Sequence, residues 1–258
     1  MTTQSTSQKI ALVTGANRGL GRSEAVALAE SGVDVILTYR SNADEAQDVV
    51  ARIEALGRKA AAYRLDTTEV DSFAAFADDV RRALKDDWGR DSFDVLVNNA
   101  GAMLETPLGE TTLAQVQQLT AVHFTGPVLL TQELLPLLAD GGRIINTSTG
   151  LTRFTGDPSY AVYASMKGAI EVYTRYLAKA LGSRRIAVNT IAPGATGTDF
   201  GGGYLRDSDQ VRDHLSGLIA MGHVGDPDDI GAAVAALASD AMGWVTGQRV
   251  EASGGMNL

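Results

Sequence analysis

The chain has 258 residues, 45% hydrophobic and 21% charged, values that belong to globular proteins with a packed core and exclude wholesale disorder. A net charge of −9 argues against a general phosphate-backbone binder, so no nucleic-acid partner is expected and an anionic ligand must be held by local positive groups. The absence of cysteine excludes disulfides and thiolate chemistry, and His123, His214 and His223 lack a metal-ligand spacing, so no metal site is expected.

Residues 1–8 read as a flexible tail and 9–258 as one domain, a length at which α/β folds keep a single core. The opening MTTQSTSQK lacks the basic start and apolar stretch of a secretion signal, and no run approaches the ~20 apolar residues of a membrane span. A cytoplasmic protein without a membrane partner is expected. A short apolar strand at 10–13 leads through a glycine-rich turn to a helix at 23–31. Strands at 33–37 and 60–65 flank a helix at 43–56 that Gly57 stops. An amphipathic helix at 70–84 precedes a strand at 93–97. The segment 113–138 reads as helical apart from an interruption at Gly126-Pro127. A fifth strand at 143–147, a helix at 160–181 and a sixth strand at 186–191 follow, then a helix at 228–238 and a short strand near Arg249. Strands alternating with helices of this length need crossovers, which predicts an α/β, doubly wound (Rossmann-type), mainly parallel sheet with helices on both faces. The glycine-rich stretch 194–225 is irregular, a candidate substrate lid.

Residues 14–21 read TGANRGLG, with glycines at 15, 19 and 21 between a strand and a helix. Glycine there lets the backbone turn tightly and approach a pyrophosphate at the positive helix end. A tight turn without a ligand is the other reading, and the place in the first crossover favours a nucleotide. Tyr163 and Lys167 are four apart on a predicted helix, which puts an ammonium near a phenol. A nearby cation lowers a tyrosine pKa by roughly one to three units, suiting the pair to proton exchange with an alcohol or carbonyl oxygen. A surface tyrosine stacked on a lysine stem is the alternative.

With its glycine spacing, which differs from G-x-G-x-x-G, the chain resembles the short-chain dehydrogenase/reductase family. The resemblance covers nearly the whole length: Asn98-Asn99-Ala100-Gly101 is similar to the family's NNAG, Tyr163 to Lys167 to its Y-x-x-x-K, and Pro193-Gly194 to its PG after the sixth strand. It implies that Tyr163 exchanges the substrate proton, that Lys167 tunes it and bonds the nicotinamide ribose, and that hydride passes directly between nicotinamide and carbon. The family's serine at the end of the fifth strand falls on Thr149, counted from Arg143, with Ser148 just before it; either hydroxyl can polarise the substrate oxygen. The family's asparagine after NNAG falls on His123, a departure that leaves a main-chain carbonyl for a water relay and lets His123 be read as functional or structural. Cofactor contacts are implied at Gly15, Asn17, Arg18, Gly19, Leu20, Gly21, Tyr39, Arg40, Asp66, Thr67, Asn98, Ala100, Gly101, Tyr163, Lys167, Pro193, Gly194, Thr196 and Thr198.

NAD-selective folds carry an acidic residue about 20 positions beyond the last glycine. The window 37–42, LTYRSN, has no carboxylate, whereas Arg40 and Arg18 can grip a 2′-phosphate, although either can equally be a solvated surface charge. NADP (NADPH) is the expected cofactor and NAD the alternative. Met103, Leu104, Leu151, Phe154, Phe200, Tyr204 and Leu205 form a mostly apolar set suited to a hydrophobic ketone or secondary alcohol, or to ordinary packing. The expectation is an NADP-dependent carbonyl reductase or alcohol dehydrogenase. A dinucleotide-binding regulatory protein of reduced turnover, suggested only by His123, and a lyase or isomerase on the same scaffold are the alternatives. The resemblance implies a homotetramer or homodimer formed through the helices containing His123 and Tyr163.

Overall fold

A computed structural model describes residues 8–258, so all of the expected tail except Gln8 lies outside the described residues. Strand β1 (Ile10–Val13) is buried at every position, and β2 (Asp34–Tyr39) and β4 (Phe93–Asn98) are nearly so. Such apolar runs, buried on both sides, are what a covered parallel sheet requires. Helix α1 (Gly19–Glu30) joins β1 to β2, and α2 (Ala43–Ala55) leads to β3 (Ala60–Arg64). Helix α3 (Phe73–Trp88) ends on Gly89 in the left-handed conformation and leads to β4. Then come α4 (Leu113–Thr120), α5 (Gly126–Leu134), β5 (Leu138–Thr147), α6 (Ala161–Leu181) and β6 (Ala187–Pro193). Short helices α7 (Tyr204–Asp207) and α8 (Asp209–Ser216), then α9 (Pro227–Ala238) and β7 (Arg249–Ala252), complete the chain.

The seven strands form one parallel sheet in the order β3-β2-β1-β4-β5-β6-β7. Alternation along the strands makes two cores. Ala11, Val13, Val35, Leu37, Val97 and Ile145 pack with α1, α2 and α9. Ile10, Leu12, Ile36, Leu96 and Ile144 pack with α3, α5 and α6. Each large side chain so buried contributes about 1.5–3 kcal/mol. This is the doubly wound fold expected. Strand order reverses between β1 and β4, which opens a crevice at their carboxyl ends.

Four local expectations are corrected. Helix α1 begins at Gly19, so the last two glycines form its first turn rather than a loop before it. The interruption in 113–138 lies at a π-turn, Ala121–Thr125, immediately before Gly126-Pro127. Pro127 has no N–H, so the carbonyls of His123 and Val122, four and five residues back, lose that helical donor. Helical structure ends with a 3₁₀ turn at Leu135–Leu137, and β5 starts at Leu138, which pairs with Phe93 before the register shifts ahead of Val95. Finally, the lid is only partly irregular: Ser208 accepts a hydrogen bond from the Val211 N–H and Asp209 lies in the first turn, which starts α8.

Candidate active site

The turn after β1 is built for close approach. Gly15 has φ +64°, and a Cβ there would lie 3.0 Å from Ala100 Cα; a Cβ at Gly21 would collide with the Asn99 amide. Thr14 Oγ1 accepts from the Asn99 and Ala100 N–H groups at 3.0 Å, and Asn99 Nδ2 donates to the Thr14 and Gly15 carbonyls. The turns after β1 and β4 are thereby clamped together. Thr14 and Asn99 were not assigned roles from sequence, although Asn99 lies inside the NNAG motif. Arg18 precedes α1 in an extended conformation and caps it with no side-chain hydrogen bond, leaving first-turn N–H groups for an anion. Thr198, 7% exposed, faces Gly19 across the crevice, and the Gly194 N–H is tied to Ala252.

Beside β2, Tyr39 is half-buried and Arg40 exposed. Burial would raise Asp66, but hydrogen bonds from Thr68, with the charges of Arg40 and Arg64, hold it below the usual carboxylate range. Glu45, just beyond the carboxylate-free window, accepts from Asn17 Nδ2 at 2.6 Å and from Asn42 at 2.8 Å. Its place in the first turn of α2 lets it reach Asn17 of the glycine loop. The side chain of Asn98 turns into the protein instead, donating to Thr131 and Asn146.

Tyr163 and Lys167 are 6% and 5% exposed, on the face of α6 that covers the end of β5. The ammonium lies 5.9 Å from the Tyr163 ring centroid and donates to the Thr147 carbonyl at 2.6 Å. Burial pushes Tyr163 up to about 12, opposed by hydrogen bonding from Thr149, and the lysine does not bring it down. This corrects the expectation from spacing. Burial also lowers Lys167 to about 8, the Glu24 carboxylate opposing. A low-dielectric site penalises both charged forms, so the phenol keeps its proton.

The two hydroxyls at the end of β5 differ. Ser148 Oγ donates to Glu171 at 2.5 Å, whereas Thr149 Oγ1 accepts from the Leu151 N–H at 3.3 Å and keeps its own proton for another partner. His123, 1% exposed, stacks edge-on against Tyr163 at 5.1 Å between centroids. Its Nε2 donates to the Ala102 carbonyl at 2.7 Å, so Nδ1 is the unprotonated nitrogen, and it has no partner. Burial lowers His123 to about 3, with the Lys167 charge adding to the effect, so the ring is neutral at ordinary pH.

Of the candidate pocket set, Phe200 lies 6.0 Å from the Tyr163 ring, and Met103 faces the side of Gly201 where a Cβ would lie 3.9 Å from its Cγ. Tyr204 is exposed. Phe154 instead packs with Ile219, Val224 and Met256, and Leu151 lies against Gly156. Among the described residues no group of three potential metal ligands converges, and no helix is long and apolar enough to cross a membrane.

One buried acid escaped the sequence reading. Glu24 is fully buried, its carboxylate oxygens have no partner, and burial raises it from 4.5 to about 8 against the pull of Lys167. Its signal was an acid at helical spacing between Leu20 and Leu28. Since the folded-state pKa exceeds the unfolded one, ionisation opposes folding. The cost is absent below about pH 4, grows as pH rises past 4.5 and is complete above pH 8. Glu24→Gln is therefore expected to be more stable than the parent at pH 8.5, by about 1–3 kcal/mol, and equal to it near pH 4. Thermal melts at both values check this; a lower Tm at pH 8.5 would refute it.

The comparisons agree with this geometry. A family model described as enoyl-(acyl carrier protein) reductase matches residues 15–257. Versicolorin reductase 1 of Dothistroma septosporum is 34% identical over 256 residues, covering 96% of this chain and 95% of its own length. The angucycline C-6 ketoreductase LanV with bound NADP superposes with a TM-score of 0.90 at 38% identity, over 96% of this chain and 95% of that one. A short-chain dehydrogenase/reductase from Serratia marcescens gives 0.89 at 31% identity, over 98% and 99%. On the sheet order, the clamped glycine turn, the buried Tyr163 and Lys167 and these full-length matches, the chain belongs to the short-chain dehydrogenase/reductase family.

Proposed function

We propose that this protein is an NADPH-dependent carbonyl reductase acting on a hydrophobic ketone, with Tyr163 as the proton donor. The observation that carries this reading is a buried phenol with the Lys167 ammonium 5.9 Å from its ring, at the carboxyl edge of a sheet whose first helix has an uncapped N-terminus. A neutral phenol suits reduction, in which the carbonyl oxygen gains a proton as carbon gains hydride. The cofactor fits the residues present: Gly19, at the first turn of α1, has open space beside it as far as Thr198, and α1 has uncapped N–H groups. NADPH, when bound, supplies the hydride. Lys167 would hold its ribose, and Arg40 with Arg18 its 2′-phosphate. Thr149 donates a hydrogen bond to the carbonyl oxygen while Tyr163 delivers the proton. The His123 carbonyl, deprived of a helical donor by Pro127, can hold a water on the proton path. NADP bound to LanV and the reductase names of the relatives support the choice of cofactor and direction.

We assign 9–258 to one domain, with 194–225 closing over the substrate so that Phe200 covers Tyr163. Val172 and Tyr176, apolar and exposed on α6, with Phe124 and Tyr173 beside them, support a homo-oligomer contact on that helix. A panel of hydrophobic ketones assayed with both cofactors tests the function; absence of turnover across it with folded protein would remove the reductase reading. NADPH is expected to give the higher kcat/KM, and Arg40→Asp to cut that preference about 10–100-fold, because a charged contact becomes a repulsion. A parent that prefers NADH would refute the role given to Arg40.

A further inference from the structure

Helix α6 carries a third polar residue in step with the active pair. Tyr163, Lys167 and Glu171 lie at i, i+4 and i+8 and share one face. Glu171, with its side chain 12% exposed, reaches neither crevice nor solvent freely; one of its oxygens is a hub. Oε1 accepts from Ser148 Oγ at 2.5 Å, Thr152 Oγ1 at 2.7 Å and Arg249 Nε at 2.9 Å. Arg249, on the edge strand β7, also donates through Nη2 to the Thr149 carbonyl at 3.1 Å, and its Nη1 is held by Glu251 at 2.7 Å. The residues on both sides of Thr149 and its own main chain are thus fixed from behind. Its Oγ1 accepts from the Leu151 N–H at 3.3 Å, and the hydroxyl proton is not committed to Glu171.

We propose that Glu171 and Arg249 are positioning residues that hold the turn after β5 so that Thr149, and not Ser148, presents its hydroxyl to the substrate oxygen. The carboxylate accepts the Ser148 hydrogen bond and removes that hydroxyl from competition, while the guanidinium fixes the Thr149 carbonyl and with it the backbone that aims Thr149 Oγ1. Neither residue touches substrate. Charge-assisted bonds of this length are among the stronger ones available to a side chain, and a donor held loosely loses the preorganisation that makes it effective. The sequence signal was faint: an acid one turn beyond Lys167, and an arginine about 80 positions later that only the sheet order brings beside it.

The inference rests on the assignment of Thr149 as the hydroxyl donor, and a double-mutant cycle separates the two. Kinetics with NADPH and one ketone that the parent reduces would be measured for Glu171→Ala, Thr149→Val and the double variant. Glu171→Ala is expected to lower kcat about 10-fold with the KM for NADPH within 2-fold. In the Thr149→Val background the same change is expected to cost less than 2-fold, because the hydroxyl it positions is gone. Glu171→Gln retains an acceptor for Ser148 and Thr152 and is expected to recover kcat to within 3-fold of the parent. Equal losses from Glu171→Ala in both backgrounds would overturn the positioning role even if Thr149 itself matters. Full activity of Thr149→Val would instead overturn the donor assignment. If Glu171→Ala does not fold, Arg249→Met replaces it in the cycle with the same expectations, since it removes the bond to the Thr149 carbonyl.

Discussion

Tyr163→Phe is expected to abolish nearly all hydride transfer, lowering kcat by about 10²–10⁴-fold, while NADPH affinity changes by no more than a few-fold. The substitution removes only the phenolic oxygen. The ring stays packed against His123 and Phe200, and Lys167 keeps its bond to the Thr147 carbonyl. The size of the loss follows from what the oxygen does: burial keeps it protonated through neutral pH, so it is a ready donor to a carbonyl becoming an alkoxide. Single-turnover reduction followed by nicotinamide absorbance, with cofactor titration on the same sample, separates chemistry from binding. Near-normal turnover in a folded Tyr163→Phe protein would remove the assignment.

Thr149→Val should lower kcat by about 10²–10³-fold, the usual consequence of losing one preorganised donor at a developing oxyanion. Valine keeps the shape, so the loss reports the hydroxyl. Ser148→Ala should be much milder, since Ser148 Oγ is already committed to Glu171. His123→Asn is expected to retain activity: the imidazole is neutral, one nitrogen is bound to Ala102, and the relay needs only the main-chain carbonyl. Steady-state kinetics of the three variants under one set of conditions rank them. A larger loss from Ser148→Ala than from Thr149→Val would transfer the donor role to Ser148, and an inactive, folded His123→Asn would give the imidazole itself a part.

What the sequence determined by itself was local and repetitive: apolar runs of strand length, helical periodicity, glycines between β1 and α1, and the spacing of Tyr163 and Lys167. These depend on neighbours a few residues away, and they sufficed for a doubly wound sheet and its family. Tertiary structure decided everything that depends on burial or on distant partners. Spacing alone suggested that Lys167 would lower Tyr163, but the desolvation of both, a property of the packed site, left the phenol protonated. Ser148 and Thr149 both carry hydroxyls, and only the arrival of Glu171 and Arg249 from α6 and β7 gives them different partners. Glu24 reads in the chain as one acid among many; buried in α1 without a partner, it becomes a carboxyl whose charge opposes the fold, because burial removes the water that would have solvated it.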